Sequence, residues 1–254
     1  MTASIRREPL VEKSTRFAGT VSLVAGGTGA LGGAVSRALL AEGGTVIVTY
    51  RRQQEFERLV QAAAADAARL EGERIDATDE TAVRQLVEAI VARHRRLDAL
   101  VITVGGYAGG TKLWEDDPQT LDRMLALNLR AAYVLARAVA PVMLGQAGGS
   151  IVNVAAKAAV DRPAGAAAYA ASKAAALALM DTLAAELAGS GVRVNSVLPS
   201  VIDTAANRAA MPQADFTAWP RPEAIARVIL FLCSGDAGPI HGAGIPVYGS
   251  GRSR

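Results

Sequence analysis

The sequence predicts an α/β domain in which helices flank a doubly wound parallel sheet. From Thr20 onward, short apolar runs alternate with helical patterns of about 10–20 residues, as in successive βαβ units. Several runs, among them 99–102 and 151–154, do not alternate between apolar and polar residues, which is typical of strands buried on both faces. A glycine-rich turn, 26–33, directly follows the first run and precedes a helical pattern.

These elements follow one another without a linker or an internal repeat, so we predict one Rossmann-type domain over 19–254. A short charged tail is expected over 1–18, and a substrate lid near 205–220. The predicted strands are 20–25, 45–50, 74–75, 99–104, 150–155, 193–198 and 244–247. The predicted helices are 30–42, 53–70, 79–94, 118–144, 166–188 and 221–233.

Composition excludes several classes of protein. The chain has 254 residues, 51% of them hydrophobic, and a mean hydropathy of +0.23, which is enough apolar material for a large core. A single cysteine, Cys233, excludes a disulfide framework, and no spacing suits zinc, so we predict no metal and a reducing, cytoplasmic compartment.

Charge argues against nucleic-acid and membrane partners. The net charge of +3 comes from dispersed basic residues and not from a basic stripe. Arg130 and Arg137 interrupt the best apolar run, so no membrane span is predicted. The charged N-terminal segment also lacks the apolar core of an export signal.

The turn after the first strand predicts a nucleotide site. Glycine at Gly26, Gly29 and Gly32 permits positive φ and leaves room for a pyrophosphate. The free N–H groups and the dipole of the following helix attract that anion.

The end of the second strand predicts which coenzyme binds. In dinucleotide folds this position lies beside the adenosine ribose, where a carboxylate would repel a 2′-phosphate. This chain has Arg51 and Arg52 there, and guanidinium groups suit bidentate phosphate contacts. We therefore expect NADPH in preference to NADH; the alternative is that both arginines merely cap a surface turn.

Two further segments border the predicted groove. Asp76, after the third strand, is placed to accept a hydrogen bond from an adenine amine, or equally to cap a helix. Gly105 and Gly106, after the fourth strand, leave room for the coenzyme to approach the backbone.

The chemistry is predicted by Tyr169 and Lys173, which are four residues apart near the start of a helix and therefore share one face. A nearby cation lowers the pKa of a phenol, so we expect Tyr169 to exchange a proton near neutral pH.

Together these features resemble the short-chain dehydrogenase/reductase family over about 17–249 of the chain. The resemblance rests on the glycine turn, Asp76, Asp98, Asn128-Leu129, Tyr169 with Lys173, and 198–204. It implies NAD(P)H-dependent hydride transfer in a homotetramer or homodimer, with Tyr169 as the general acid/base and Lys173 at the nicotinamide ribose. Asn128 would hold a water of the proton relay, and Thr204 would contact the carboxamide. The implied coenzyme-binding set is Gly26, Thr28, Gly29, Ala30, Leu31, Gly32, Arg51, Arg52, Asp76, Ala77, Gly105, Lys173, Pro199, Ile202 and Thr204.

The sequence departs from the family pattern at two informative positions. Ala30 stands where a third glycine is usual, and its methyl group should narrow the turn slightly. Ala156 stands thirteen residues before Tyr169, where the family has a substrate-orienting serine. Alanine cannot donate to a carbonyl oxygen, so we expect either that Lys157 supplies a replacement charge or that Lys157 points to solvent.

A similar loss of the serine is found in the quinonoid dihydropteridine reductase branch. Residues 104–110, 156–159 and 203–219 are similar to that branch, which implies reduction of a conjugated C=N system. That branch prefers NADH and has an acidic residue near the ribose, where this chain has Arg51.

Five aromatic residues fall on the segments expected to surround the nicotinamide: Tyr107, Trp114, Tyr169, Phe216 and Trp219. They would either stack on a flat substrate or anchor a lid. With Ala156 and Lys157, they complete the predicted substrate site. We therefore predict NADPH-dependent reduction of a small unsaturated substrate, such as a quinonoid dihydropterin or another conjugated C=N or C=O compound. The alternatives are an ordinary ketone reductase and a catalytically lapsed dinucleotide sensor or scaffold.

Overall fold

The computed structural model describes residues 15–249; most of the predicted tail, 1–14, and residues 250–254 lie outside the described range. Its central feature is a parallel sheet of seven strands in the order β3-β2-β1-β4-β5-β6-β7. The strands are β1 Val21–Ala25, β2 Thr45–Tyr50, β3 Leu70–Arg74, β4 Ala99–Ile102, β5 Gly149–Val154, β6 Val192–Pro199 and β7 Gly244–Val247. The doubly wound fold class predicted from the sequence is confirmed.

Helices cover both faces of this sheet. They are α1 Ala30–Ala41, α2 Gln53–Ala63, α3 Glu80–His94, α4 Pro118–Leu125, α5 Ala131–Gly145, α6 Ala158–Asp161, α7 Ala167–Glu186, α8 Ala205–Ala210 and α9 Pro222–Cys233. Successive residues of a strand point to opposite faces. Leu23 accordingly joins the core beneath α3, α5 and α7, whereas Val24 joins the core beneath α1, α2 and α9. Both side chains are fully buried.

The order of the strands places the candidate site. β1 pairs with β2 on one side and with β4 on the other, so the connections from β1 and β4 leave the sheet in opposite directions. In open parallel sheets a crevice forms where the strand order reverses in this way, at the carboxyl ends of the strands. Thr103 ties the two ends together, because its hydroxyl donates to the carbonyl of Ala25 over 2.7 Å.

The third strand differs from the prediction. It runs over Leu70–Arg74 and not 74–75, and the helix predicted over 53–70 ends at Ala63. Ala64 has a φ of +48°, which an α-helix does not accommodate, so α2 ends before this residue. A 3₁₀ segment, Ala64–Arg69, then leads to β3. β3 lies at the edge of the sheet, and its polar residues hide the apolar signal by which the other strands were predicted.

The helix predicted over 118–144 is also interrupted. A single π-helical turn, Ala126–Arg130, separates α4 from α5, and such turns are frequent at functional sites. By length and composition the combined stretch Pro118–Gly145 would suffice to cross a membrane, although the sequence predicted that Arg130 and Arg137 prevent this. Half of its most apolar window is buried in the domain, as in a core helix of a folded protein.

Candidate active site

The glycine turn begins directly at the end of β1. Gly26 adopts a φ of +77°, a left-handed conformation that side chains other than glycine rarely tolerate. A Cβ atom on Gly32 would overlap the carbonyl oxygen of Gly26, so the first turn of α1 packs directly against the loop. The sequence prediction that these glycines shape a tight turn agrees with this geometry.

The N-terminus of α1 is open to a ligand. Its N-cap residue, Gly29, offers no side chain to the free N–H groups of the first turn. Leu31 directs its side chain into the core, so its backbone faces the turn. Ala30 is exposed at this end of the helix, and whether its methyl group narrows the space for a coenzyme stays a prediction. Uncapped N–H groups above a glycine turn fit the pyrophosphate of a dinucleotide.

A groove of about 270 Å³ leads from this turn along the ends of β2 and β4. Residues predicted from the sequence to bind a coenzyme contribute much of its lining: Gly26, Thr28, Gly29, Arg51, Arg52, Ala77 and Gly105. The structure therefore brings the glycine turn and both arginines to one groove, whose shape and polar rim fit an adenosine moiety.

Both arginines of the groove are paired with carboxylates. A nitrogen of Arg51 lies 2.8 Å from Asp76, and one of Arg52 lies 2.5 Å from Glu55. Hydrogen bonds from Thr78 and the pairing with Arg51 lower the pKa of Asp76, although partial burial opposes them. Asp76 thus binds Arg51 and the Thr78 backbone here, and a place near adenine stays a prediction.

Glu55 is a groove residue that the sequence analysis missed. Its carboxylate accepts a hydrogen bond of 3.3 Å from the hydroxyl of Thr28 while it pairs with Arg52. It lies in the first turn of α2, where an acid is favourable to the helix dipole. No motif marks this position, because its significance arises only when α2 packs beside the glycine turn.

Asn128 and Lys173 converge on Gly105 at the far end of the groove. A Cβ atom on Gly105 would lie 2.7 Å from the Asn128 Oδ1 and 3.2 Å from the Lys173 Nζ. Asn128 is 3% exposed; its oxygen accepts from the Gly106 N–H over 2.9 Å, and its nitrogen donates to the Ser172 hydroxyl over 2.9 Å. Gly105 therefore packs closely against an amide and an ammonium group, and a larger residue there would displace the Asn128 side chain.

Lys173 is held inside the domain. Its ammonium group donates to the carbonyl of Val154 over 2.8 Å, and the residue is 6% exposed. Burial lowers the pKa of Lys173 to about 8, because a charged amine is poorly solvated there. This buried cation lies next to Gly105, which lines the groove.

Tyr169 lies one turn before Lys173 on α7, as their spacing predicted. Its pKa is not lowered, however. Burial and the nearby phenol of Tyr107 raise the pKa of Tyr169 to about 12 in the free protein, so the sequence expectation was wrong for this state. Because Lys173 donates to Val154 and not to the phenol, its charge does not offset the effect of burial. The phenol of Tyr169 therefore carries its proton at neutral pH, and its role as the acid stays a prediction.

The position of the absent serine is occupied by a buried alanine. Ala156 is 7% exposed and follows β5. The ammonium group of Lys157 lies 3.2 Å from Asp161 and 4.9 Å from the centre of the Tyr248 ring. Lys157 thus has partners on α6 and after β7 while its side chain stays 44% exposed, and a role toward a substrate stays a prediction.

The predicted lid is held by an ion pair. Arg208 makes two hydrogen bonds, of 2.5 and 2.8 Å, with the carboxylate of Asp203 and lies 4.8 Å from the centre of the Phe216 ring. Phe216 in turn packs against Trp219, with ring centres 5.0 Å apart. These two aromatic residues anchor the segment to itself, which agrees with the lid alternative.

Three predicted coenzyme contacts border the same lid. Thr204 caps α8 by accepting a hydrogen bond from the Asn207 N–H over 3.1 Å, and the carbonyl of Ile202 accepts from the Asn207 side chain over 2.8 Å. The carbonyl of Pro199 accepts from the N–H of Lys157 over 2.8 Å. Their contacts with a coenzyme stay predictions.

The remaining aromatic residues separate into two environments. The ring of Tyr107 packs edge-on against Tyr169, with centres 4.9 Å apart and planes at 72°. Trp114 lies on an exposed 3₁₀ turn and is itself 78% exposed, with the ammonium of Lys112 5.3 Å from its ring centre. The structure therefore places Tyr107 at the catalytic pair and gives Trp114 no contact with it among the described residues.

Comparisons with known proteins agree with this geometry. The family model described as short chain dehydrogenase matches residues 20–215. The chain is 30% identical over 244 residues to a 3-oxoacyl-(acyl-carrier-protein) reductase of Thermotoga maritima, covering 92% of this chain and 98% of the relative. It is 31% identical over 252 residues to a D-threitol dehydrogenase of Mycolicibacterium smegmatis, covering 96% of each.

Solved structures give the same result. A short-chain type dehydrogenase/reductase from Mycobacterium ulcerans superposes with a TM-score of 0.86 at 29% identity, covering 91% of this chain and 89% of that one. Two others, each 25% identical with a TM-score of 0.85 and each covering 92% of this chain and 99% of the other, hold different coenzymes. One is a xylitol dehydrogenase with bound NAD⁺, and the other is a short chain dehydrogenase from Shigella flexneri complexed with NADP.

Proposed function

The chain belongs to the short-chain dehydrogenase family, and we propose from this that it uses NADPH to reduce a small carbonyl or conjugated C=N compound. The family identifies it as an NAD(P)H-dependent oxidoreductase. The observation that supports reduction most directly is the cluster around Gly105. There, buried Asn128 and Lys173 pack against Gly105, which lines the groove, and Lys173 lies one helical turn from a protonated Tyr169.

The choice of coenzyme follows from the rim of the groove. NADPH carries a 2′-phosphate dianion that NADH lacks, and Arg51 and Arg52 are its natural partners. Each arginine would exchange a carboxylate, Asp76 or Glu55, for the phosphate. The net charge of these four side chains is zero. The arginines would therefore select NADPH by the hydrogen bonds that they direct to the 2′-phosphate, and not by an excess of positive charge in the groove.

The bound nicotinamide would supply the hydride, and the protein would supply the proton. Tyr169 donates its phenolic proton to the oxygen or nitrogen that gains electron density when the hydride adds to the neighbouring carbon. Its raised pKa keeps that proton in place at neutral pH. Lys173 binds the ribose and stabilises the phenolate that forms, while Asn128 connects the site to water for reprotonation.

Two substrate classes are supported by different observations. Ala156 removes one hydrogen-bond donor, which matters less for a quinonoid dihydropterin, whose charge spreads over a ring. The relatives named above are a 3-oxoacyl reductase and a polyol dehydrogenase, which favours an ordinary carbonyl reductase. A lapsed sensor is the third candidate, and it requires no proton donor at Tyr169.

One experiment separates these functions. NADPH oxidation is followed at 340 nm with quinonoid dihydropterin and with a panel of ketones, 3-oxoesters and quinones. We expect Tyr169→Phe to reduce kcat by about 10²–10⁴-fold while NADPH still binds. The matched control is Tyr133→Phe, which removes an exposed hydroxyl on α5. Unchanged turnover in Tyr169→Phe would exclude this tyrosine as the acid, and inactivity of the wild type on every substrate would favour the sensor.

We propose further that residues 19–254 form the catalytic domain and that it assembles as a homodimer or homotetramer in the cytoplasm. Leu121 and Leu144 are large apolar side chains exposed on α4 and α5. Because exposed apolar residues favour association, this face would bury them against a second copy. Sedimentation analysis tests the assembly.

A further inference from the structure

The active site lacks the hydroxyl group that would orient a substrate carbonyl at Ala156. An unoriented carbonyl loses part of the benefit of Tyr169, because a single donor leaves the substrate free to rotate. Lys157 does not fill this role, since its ammonium group is engaged by Asp161 and the Tyr248 ring. A second donor must therefore come from another element.

We infer that Tyr107 is this donor: its phenolic hydroxyl, beside Tyr169, holds the substrate oxygen in place of the hydroxyl missing at Ala156. This inference rests on the proposed function. Tyr107 follows β4, whereas Ala156 follows β5, and these strands are neighbours in the sheet. The donor has thus moved to the adjacent loop at the same edge of the sheet.

The position of the Tyr107 ring is the first supporting observation. Its ring meets that of Tyr169 edge-on, with ring centres 4.9 Å apart, so the two aromatic side chains are direct neighbours. Edge-to-face contact fixes the relative orientation of two rings. Tyr107 is nevertheless 69% exposed, which leaves its surface available to a substrate that enters between the loops.

The loop that carries Tyr107 is short and rich in glycine. The phenolic oxygen of Tyr107 lies over Gly109 of the same loop, where a Cβ atom would make it shift. The next residue, Gly110, donates its N–H to the carbonyl of Gly165 over 2.8 Å. Gly165 shortly precedes α7, so one hydrogen bond fixes the loop of Tyr107 to the element that carries Tyr169.

The neighbouring phenol of Tyr107 also contributes, after burial, to the raised pKa of Tyr169. In the reduction, Tyr169 transfers its proton to the substrate oxygen as the hydride adds to the carbon. Tyr107 keeps its own proton and donates a hydrogen bond to the same oxygen, which steadies the developing charge.

The test removes the hydroxyl group of Tyr107 and then supplies a hydroxyl group at position 156. Tyr107→Phe keeps the ring contact with Tyr169 and removes only the hydroxyl. With saturating NADPH and the ketone of the panel that the wild type reduces fastest, we expect kcat/KM to fall about 10–100-fold. The Kd of NADPH, measured by fluorescence, should not change. Tyr133→Phe is the matched control and should match the wild type in both measurements.

The decisive variant adds Ala156→Ser to Tyr107→Phe. If Tyr107 replaces the serine, the double variant should recover at least half of the lost kcat/KM on a logarithmic scale. Full activity of Tyr107→Phe, or a loss that Ala156→Ser does not restore, would overturn the inference and leave the proposed function standing. If the wild type reduces no substrate of the panel, the proposed function fails and the inference fails with it.

Discussion

The side-chain amide of Asn128 donates a hydrogen bond of 2.9 Å to the hydroxyl of Ser172, which lies beside Lys173 on α7. This bond joins the π-helical turn to the catalytic helix. Both side chains are buried, so neither has water as an alternative partner. Asn128 also holds the Gly106 backbone by two hydrogen bonds, so one amide joins the π-helical turn, α7 and the loop after β4.

Ser172→Ala tests whether this bond positions Asn128. The change leaves the Asn128 nitrogen with one partner fewer in a buried place, which should reduce stability by about 1–3 kcal/mol. We expect kcat to fall several-fold while the Kd of NADPH changes little. Urea unfolding and steady-state kinetics provide the two measurements. Ser190→Ala, a change of a half-buried serine far along the chain after α7, is the control. Unaltered kcat in Ser172→Ala would mean that Gly106 alone positions the amide.

The pH dependence should report the buried lysine. Lys173 has a pKa of about 8 in the free protein, so its charge is present below that pH and is lost as the pH rises through it. Because kcat/KM for NADPH reflects the free enzyme, we expect it to fall about tenfold per pH unit above about pH 8. Tyr169, with its pKa near 12, stays protonated throughout this window.

Lys173→Arg is the matched variant, because a guanidinium stays charged well above pH 8. Its activity should be lower, since the planar group does not reproduce the bond to Val154, but the decline above pH 8 should be absent. A decline of the same steepness and midpoint in this variant would assign the ionisation to another group.

The sequence predicts the parts of the site that depend on local spacing. Tyr169 and Lys173 share a helical face because they are four residues apart, and the glycine turn is set by its place after β1. Partners from distant elements could not be predicted in this way. Glu55 becomes the neighbour of Arg52 and Thr28 only when α2 packs beside the turn, and no propensity identifies it.

The predictions for β3 and for the pKa of Tyr169 were wrong for the same physical reason. β3 was misplaced because an edge strand is half exposed and has no continuous apolar run. The pKa of Tyr169 was predicted in the wrong direction because the helical spacing gives proximity to Lys173 but not burial. The position of β3 and the pKa of Tyr169 both depend on how distant elements pack, and a local sequence pattern does not contain that information.

Coenzyme selectivity should depend on the two arginines of the groove. Replacing Arg51 and Arg52 together by Gln removes both partners of the 2′-phosphate. We expect the Kd of NADPH to rise about 10–100-fold, equivalent to one or two charge-assisted hydrogen bonds. The Kd of NADH should change less than threefold, as measured by fluorescence titration of both coenzymes. Arg137→Gln, which alters an exposed ion pair with Glu80 on another face, is the control. An equal loss for both coenzymes would show that the arginines only support the turn.

The counterpart of this prediction concerns Glu55. Its carboxylate neutralises Arg52 in the free protein and would stand near the phosphate in the complex. Glu55→Gln should therefore tighten NADPH binding several-fold without affecting NADH. Glu57→Gln, two residues further along α2, removes an equal charge from an exposed place outside the groove lining and should leave both affinities unchanged. A weaker affinity for NADPH in Glu55→Gln would instead show that this carboxylate orients Arg52 for the phosphate.

Lys173 should support activity while its buried charge lowers the free energy of unfolding at neutral pH. Its pKa is about 8 in the folded protein and 10.5 in its ordinary environment. Below pH 8 the amine is charged in both states, and the folded state bears the unfavourable burial of that charge. Between pH 8 and 10.5 only the unfolded state keeps the proton, so the stability of the folded state rises with pH across this window. The difference of the two pKa values corresponds to about 3 kcal/mol.

Lys173→Met, which fills the same space without a charge, should therefore unfold at a higher urea concentration than the wild type at pH 7. The gap should shrink by about 3 kcal/mol by pH 10.5, where the amine is neutral in the folded state and half neutral in the unfolded state. Tyr169 is present in both proteins, so its own titration cancels in the difference between them. If the gap were the same at both pH values, packing and not charge would be its cause, and the ammonium of Lys173 would have to be solvated in the folded protein.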